Sequence, residues 1–247
     1  MKVVGVIPSR WASTRLPGKS LVDICGKPLV QWVVEAAGRA SLIDELLVAT
    51  DDQRIIDAVE PLGIRAVMTS PDHPSGTDRI AEAVEGMDAD LVVNIQGDEP
   101  LLDAELLDQL VRVMSENSGW DMATAATVIL DAADIEDVSV VKVVTAENGR
   151  ALYFSRSVIP FVRDNDAGFN KNLYMRHLGV YVYRRGFLEK LVNTSPCVLE
   201  NAEKLEQLRA LYIGANMVVV ETDDIGIGVD TPEDVVRVEK IIEEQML

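Results

Sequence analysis

Apolar positions in the first half of the chain alternate between two spacings. Apolar runs predict a buried strand at Val3–Pro8 and further strands at Glu45–Thr50, Arg65–Met68 and Leu91–Ile95, the last apolar throughout except for Asn94. Between them, apolar residues recur at helical spacing and predict helices at Pro28–Ala40, Gln53–Leu62, Gly76–Glu85 and Asp103–Ser115. Pro28 falls near the first turn of its helix, with Leu29, Trp32, Val33 and Ala36 on one face. Ser75 is placed to cap the third helix. This βαβα rhythm predicts an α/β fold with a parallel sheet covered on both faces. The loops after Ile7, Thr50, Met68 and Ile95 should then share the rim where ligands bind in such sheets.

The middle of the chain breaks the rhythm. Asp121–Leu130, Val140–Thr145, Ala151–Phe154 and Arg176–Arg184 read as strands without full helices between them, which predicts an antiparallel extension. Gly168–Asn172 is polar and reads as a mobile loop. A helix at Glu200–Ala210, a strand at Met217–Val220 and a helix at Pro232–Glu244 complete the chain. No repeat, low-complexity linker or clean boundary divides it, so residues 1–247 are expected to form a single domain.

Charge narrows the partners. The chain carries 23 basic and 41 acidic residues, a formal net charge of -18. Such a surface repels nucleic acid and anionic membrane, and a protein of this charge must gather its cations locally to hold an anionic substrate. No run approaches the length of a membrane span, and the N-terminal segment shows no cleavage signature. The two cysteines, Cys25 and Cys197, lack metal-site spacing and read as reduced thiols of a cytoplasmic protein.

The cations gather in one place. Arg10, Arg15 and Lys19 lie within the Ser/Thr/Gly/Pro-rich run Ile7–Lys19, directly after the first strand. Backbone N–H groups and cations at that position suit a polyphosphate, so a nucleoside triphosphate is the first ligand to consider. The spacing is not that of a Walker A loop. Asn94-Ile95-Gln96-Gly97-Asp98-Glu99-Pro100 ends a buried strand with an amide, a glycine and two carboxylates. Asp98 there can hold Mg²⁺ against substrate phosphates, and Gly97 lets backbone come close to a ligand. In Gly228–Asp234, Asp230 or Thr231 reads either as the cap of the last helix or, for Asp230, as a second metal ligand. Ser75-Gly76-Thr77-Asp78-Arg79 offers N–H groups and hydroxyls to a base or sugar, or simply caps its helix. Strand alternation places His177, Gly179 and Tyr181 on one face, suited to a polyhydroxylated ligand.

Taken together, Pro8–Lys19, Ala49-Thr50-Asp51, Ser75–Arg79, Asn94–Pro100, Ala151–Arg156, Arg176–Tyr183, Leu205–Arg209 and Gly228–Asp234 closely resemble the 3-deoxy-manno-octulosonate cytidylyltransferases, or CMP-Kdo synthetases. The resemblance covers nearly the whole chain. It implies a Rossmann-like, glycosyltransferase-A-like nucleotidyltransferase fold: a mostly parallel sheet flanked by helices, with a central antiparallel extension at about 130–190 that takes part in a homodimer. It implies transfer of CMP from CTP to a sugar acid with release of pyrophosphate, with Mg²⁺ as cofactor, for lipopolysaccharide biosynthesis. By the same resemblance Lys19 and Asp98 are expected to carry the catalytic roles, and Asp98 with Asp230 to hold the metal. Arg10, Lys19, Ser75, Gly76 and Arg79 match the CTP contacts, and Arg15, Gln96, Arg156, His177, Tyr181, Glu206 and Gln207 the sugar-acid pocket. The chain departs from the family pattern at Ser9, Trp11, Cys25, Val182 and Pro196–Glu200. The sugar acid therefore stays open between Kdo, its 8-amino analogue and a sialic acid. A nucleotide-binding regulator is the non-enzyme alternative, and pyrophosphate release from CTP separates the two.

Overall fold

A computed structural model describes residues 1–13, 15–163 and 173–246. The polar 168–172 segment expected to be a mobile loop lies outside the described residues. The chain divides into two compact units, Met1–Val111 with Gly226–Leu247, and Arg112–Ile225.

The first unit opens with β1 (Val3–Ser9), the short strands β2 (Asp23–Ile24) and β3 (Lys27–Pro28), and α1 (Leu29–Ala37). Then come β4 (Glu45–Thr50), α2 (Gln53–Val59), β5 (Arg65–Met68), α3 (Gly76–Ala83), β6 (Leu91–Asn94) and α4 (Ala104–Glu116), within which the division between the units falls. β1 pairs in parallel with β4 and β6, and β4 in parallel with β5. The register sets Ser9 beside Thr50, Thr50 beside Met68, and Val6 beside Asn94, so the strands deliver their carboxyl ends to one rim, as the βαβ rhythm predicts. Val4, Val6, Ile7, Leu47, Val48, Val92 and Val93 are fully buried, which is why these strands read as continuous apolar runs rather than alternating ones.

α1 is shorter than expected. Pro28 belongs to β3 and precedes the helix, and Leu29, Val30, Val33, Val34, Ala36 and Ala37 form its buried face. Trp32 is only half-buried, because its indole N–H donates to the Ile24 carbonyl at 2.9 Å and holds the β2–β3 hairpin instead. The hairpin turn is Cys25-Gly26, both left-handed, with φ of 49° and 80°. A tight hairpin turn of this hand favours Asn at its first position, so the Cys25 departure from the family pattern is accommodated here as local strain.

The second unit contains β7 (Met122–Val128), α5 (Ala132–Glu136), β8 (Lys142–Thr145), β9 (Ala151–Ser155) and β10 (Met175–Arg184). It continues through α6 (Arg185–Val192), α7 (Val198–Glu203), α8 (Gln207–Tyr212) and β11 (Met217–Glu221). β10 runs antiparallel to β7 and β8, and β8 antiparallel to β9, which is the expected extension. β11 adds to β7 in parallel.

The helix expected over residues 200–210 is two. Lys204 adopts a left-handed φ of 55° and ends α7, and Leu205-Glu206 turn the chain before α8 begins. Cys197 caps α7: its Sγ accepts from the Glu200 N–H at 3.4 Å, and a Glu200 carboxylate oxygen accepts from the Cys197 N–H at 3.2 Å. That is a capping box with a thiol in the hydroxyl position. Glu200 also receives the guanidinium of the buried Arg209 at 2.8 and 2.5 Å, fastening α8 to α7 across the break. Within the first unit, α9 (Pro232–Met246) closes the chain.

Candidate active site

The loop between β1 and a 3-10 turn at Lys19–Leu21 forms one wall of a cavity of about 300 Å³ in the first unit. The cavity is lined from this loop by Pro8, Arg10, Ser13, Arg15 and Lys19, from the start of α3 by Ser75, Gly76 and Arg79, and from the two acidic segments by Gln96, Gly97, Asp98 and Asp230. The loop is built by specific contacts. The buried Ser9 hydroxyl donates to Ser20 Oγ at 2.7 Å, joining the loop's two ends. Gly18 has a φ of 67°, and a Cβ there would stand 2.9 Å from Trp11 Cη2, so the indole lies flat on the glycine. Arg54 covers the Trp11 ring at 3.3 Å from its centroid. Arg10 is exposed, and its guanidinium makes no hydrogen bond or ion pair among the described residues, which leaves it available to an anion.

The acidic segments converge. The Lys19 ammonium donates to Asp98 Oδ2 at 2.6 Å and to Asp230 Oδ1 at 2.9 Å. Arg15 meets the other Asp230 oxygen at 2.9 Å. The Val229 N–H donates to the Asp98 carbonyl at 2.8 Å, so backbone as well as side chains join the two segments. Burial presses the Lys19 pKa down, but Asp98 and then Asp230 outweigh it and hold the pKa above its ordinary value.

The choice left open at Gly228–Asp234 is decided by Thr231. Its hydroxyl accepts from the Asp234 N–H at 3.3 Å, while Asp234 Oδ2 accepts from the N–H groups of Asp230 and Thr231 at 3.0 and 2.9 Å. Thr231 and Asp234 thus cap α9 between them, and the Asp230 carboxylate is free to turn to Lys19 and Arg15.

Gly97 lines the cavity and also packs against the protein's own backbone. A Cβ on it would lie 2.6 Å from the Pro8 carbonyl oxygen, so it is the protein's own backbone that approaches closely. Gly97→Ala is expected to force the loop after β6 away from β1, at a cost of about 2 kcal/mol. Urea unfolding would register that loss, and titration with CTP should show weakened binding as Asp98 moves. Asn94, the first polar residue of this motif, is buried, and among the described residues its Oδ1 has no hydrogen-bond partner. Gln96 rather than Asn94 reaches the cavity.

The α3 wall is held from within. Ser75 caps the helix, its oxygen accepting from the Asp78 N–H at 3.3 Å and its hydroxyl donating to Asp78 Oδ2 at 2.6 Å. Gly76 stands over the Pro8 ring, where a Cβ would come within 3.4 Å of Cγ. Arg79 is 3% exposed and donates to Thr69 Oγ1 at 2.6 Å and to Asp51 Oδ2 at 2.9 Å. Its charge is therefore paired inside the protein as well as bordering the cavity. Asp51 is the residue that sequence reasoning passed over. It was only the end of a matching run, and an aspartate pair at the carboxyl end of β4 was the available signal.

In the second unit, His177, Tyr181 and Tyr183 form an aromatic row, with successive ring centroids 5.6 and 5.7 Å apart. Phe154 meets the edge of His177 at 4.9 Å. The pairing of β10 with β7 shifts register between Leu178 and Tyr181, yet His177 and Tyr181 remain neighbours. His177 Nε2 bonds with Thr124 Oγ1 at 3.0 Å. Burial lowers the His177 pKa to about 3 and raises that of Tyr181 well above its usual range, with Tyr183 and Glu206 adding to the latter. His177 is therefore neutral at pH 7. Between pH 6.5 and about 3 the unfolded chain takes up a proton that the folded one refuses, so stability falls as pH falls through that window. Thermal midpoints of His177→Asn should decline less steeply than those of the wild type between pH 6.5 and 4.

Arg156, expected to meet the sugar acid, spends much of its guanidinium locally. Nε donates to the Glu203 carbonyl and one terminal nitrogen to the Val138 carbonyl, both at 2.8 Å. Gln207 is buried at the first turn of α8, and Glu206 stands just before it.

Two carboxylates meeting on one cation, beside a cation-bearing loop at the rim of a parallel sheet, define a nucleotidyltransferase-type site. A family model for cytidylyltransferases matches residues 4–224. A protein of Geotalea uraniireducens named 3-deoxy-manno-octulosonate cytidylyltransferase is 50% identical over 250 residues, covering 98% of each chain. Its namesake from Bdellovibrio bacteriovorus is 46% identical over 247 residues, covering 99% of each chain. A solved structure described as CMP:2-keto-3-deoxy-manno-octonic acid synthetase complexed with CTP superposes with a TM-score of 0.94 at 40% identity, over 99% of this chain and 100% of that one. The chain belongs to the cytidylyltransferase family, on the branch formed by the 3-deoxy-manno-octulosonate cytidylyltransferases.

Proposed function

We infer that this chain transfers CMP from CTP to the anomeric hydroxyl of Kdo, releasing pyrophosphate, in the service of lipopolysaccharide biosynthesis. The observation that carries this reading is the convergence of Asp98 and Asp230 on the Lys19 ammonium inside the cavity lined by Arg10, Ser75 and Arg79. Relatives of near-identical length and a CTP-bound structural neighbour support it.

The cavity's two sides suit the two ends of CTP. The loop Pro8–Lys19 offers Arg10 and Lys19 to the triphosphate, and the start of α3 offers Ser75 and Gly76 to the cytidine. Asp98 and Asp230 fit a magnesium ion: both are hard oxygen donors, and their oxygens already lie within 3 Å of a common cation at 2.6 and 2.9 Å. Among the described residues no group of three or more His, Cys, Asp or Glu side chains gathers as a metal site. Two protein carboxylates, with substrate phosphate and water completing the sphere, is the pattern Mg²⁺ prefers. When bound, Mg²⁺ neutralises phosphate charge and acidifies a coordinated hydroxyl. Lys19 and Arg10 compensate the charge that collects on departing pyrophosphate. In the second unit His177, Tyr181, Arg156, Glu206 and Gln207 are proposed sugar-acid contacts, and in the first unit Gln96 and Arg15 are. As a neutral ring, His177 contributes hydrogen bonding rather than charge.

Pyrophosphate release measured with CTP, Mg²⁺ and a panel of Kdo, 8-amino-Kdo and sialic acid tests the reading. Turnover with Kdo well above the others is expected. Preference for another acid would reassign the nucleophile, and CTP binding without turnover on any acid would make the chain a nucleotide-binding regulator.

The proposed homodimer rests on the second unit, where Leu130, Val138, Leu152 and Phe161 are exposed, Phe161 by 83%. Phe161→Asp is expected to shift the protein from dimer to monomer in light scattering. An unchanged mass would place the interface elsewhere. No helix among the described residues is long and apolar enough to cross a membrane.

A further inference from the structure

We propose that Asp51 is a positioning residue for the CTP site, setting the distance between the phosphate-side loop and the α3 wall. It stands just past the end of β4, and its side chain is 11% exposed. One carboxylate oxygen accepts from the Trp11 backbone N–H at 3.0 Å, and the other accepts from the Arg79 guanidinium at 2.9 Å. A single side chain thus grips both walls. The grip is braced on each side. Arg79 also donates to Thr69 Oγ1, whose hydroxyl donates to the Thr50 carbonyl at 2.9 Å, so the guanidinium is aimed by the ends of β4 and β5. On the loop side, the adjacent Asp52 holds Arg54 at 2.8 and 2.6 Å, and Arg54 presses on the Trp11 ring.

Asp51 is not among the residues that line the cavity, whereas Arg79 is, so its influence on a nucleotide passes through Trp11 and Arg79. The geometry requires a carboxylate. Two donors converge on it, and an aspartate supplies an acceptor to each, while an asparagine has one carbonyl oxygen and must turn an NH₂ toward the other. In either orientation the buried guanidinium loses its counter-charge, and one of the two donors also loses its acceptor. A displacement of about 1 Å is enough to cost a hundredfold where reacting groups must align.

The inference rests on reading Pro8–Lys19 as the triphosphate site, and the experiment separates the two. KM for CTP and for Kdo, kcat and the thermal midpoint are measured on the full chain for Asp51→Asn, with Arg10→Ala and Lys19→Met alongside. Asp51→Asn is expected to raise KM for CTP about tenfold or more, with KM for Kdo unchanged within twofold. A role confined to stability would lower the thermal midpoint and leave KM for CTP alone, and that result overturns the proposal. If Arg10→Ala and Lys19→Met impair CTP use while Asp51→Asn does not, only the Asp51 role fails. If none of the three affects CTP use, the loop reading fails and the proposal with it. Should Asp51→Asn not fold, Thr69→Val keeps both charges and removes only the neutral group that aims Arg79. It is expected to raise KM for CTP in the same direction by a few-fold, and an unchanged value overturns the proposal.

Discussion

Lys19→Met is expected to lower kcat/KM for CTP by about a hundredfold or more and to make Mg²⁺ a stabiliser of the nucleotide-free protein. On the proposed role of Lys19, the first effect follows from losing a positioned cation where charge would develop on the leaving pyrophosphate, a loss of the size seen when other electrostatic stabilisers are removed. The second follows from the resting arrangement. Asp98 and Asp230 each lie within hydrogen-bond reach of Lys19 Nζ, at 2.6 and 2.9 Å, and Lys19 is 18% exposed. Without the ammonium two carboxylates face one another across a partly dehydrated gap, and a divalent cation relieves that repulsion. On the proposed metal role, Lys19 and Mg²⁺ would compete for the same oxygens in the wild type, so Mg²⁺ without CTP should move the thermal midpoint little. In Lys19→Met the same addition should raise it by several degrees. Equal responses in the two proteins would show that Lys19 and the metal do not share these carboxylates.

Asp98→Asn is expected to reduce turnover on the order of a thousandfold while leaving the fold nearly as stable as the wild type. The amide keeps the shape and can still accept a hydrogen bond from Lys19, and Asp230 retains the ion pair. What disappears is half of the anionic charge available to Mg²⁺. CTP binding without Mg²⁺ should therefore stay within a few-fold of the wild type, whereas the Mg²⁺ requirement should shift to much higher concentration. Near-normal turnover at ordinary Mg²⁺ would remove Asp98 from the metal role. Combining Asp98→Asn with Lys19→Met should cost less than the sum of the separate losses, because both changes act on one cluster.

The rest of the site shows why some of it was legible in the chain and some was not. β4 and β5 run over the predicted residues, Glu45–Thr50 and Arg65–Met68; for β4 the reason is local, since Asp44 before it and Asp51-Asp52 after it mark both ends of an apolar run. Ser75 capping α3 was equally local, since a cap and the N–H it satisfies are three residues apart. α6 was overlooked although Phe187, Leu188 and Leu191 already had helical spacing, and that signal was readable. The break at Lys204 was not. Nothing about a lysine announces a left-handed backbone, and only the pairing of Arg209 with Glu200 across α7 and α8 explains why the chain accepts it. The need for a small residue at Gly97 is legible, but its contact with the Pro8 carbonyl is not, because that carbonyl comes near only when β1 and β6 lie side by side.

By itself the sequence determined the parallel α/β framework, the rim on which ligands fall, and the cation-rich loop and acidic runs from which a nucleotide site is made. Those are properties of neighbouring residues, written in apolar spacing, caps and local charge. The tertiary structure alone decided that Thr231 and Asp234 would cap α9 and release Asp230, that Lys19 would stand between Asp230 and Asp98, and that Asp51 would hold Trp11 and Arg79 at once. These pairings join groups far apart along the chain. Strand register and loop closure set their distances to a few tenths of an ångström, and no short stretch of sequence contains that information.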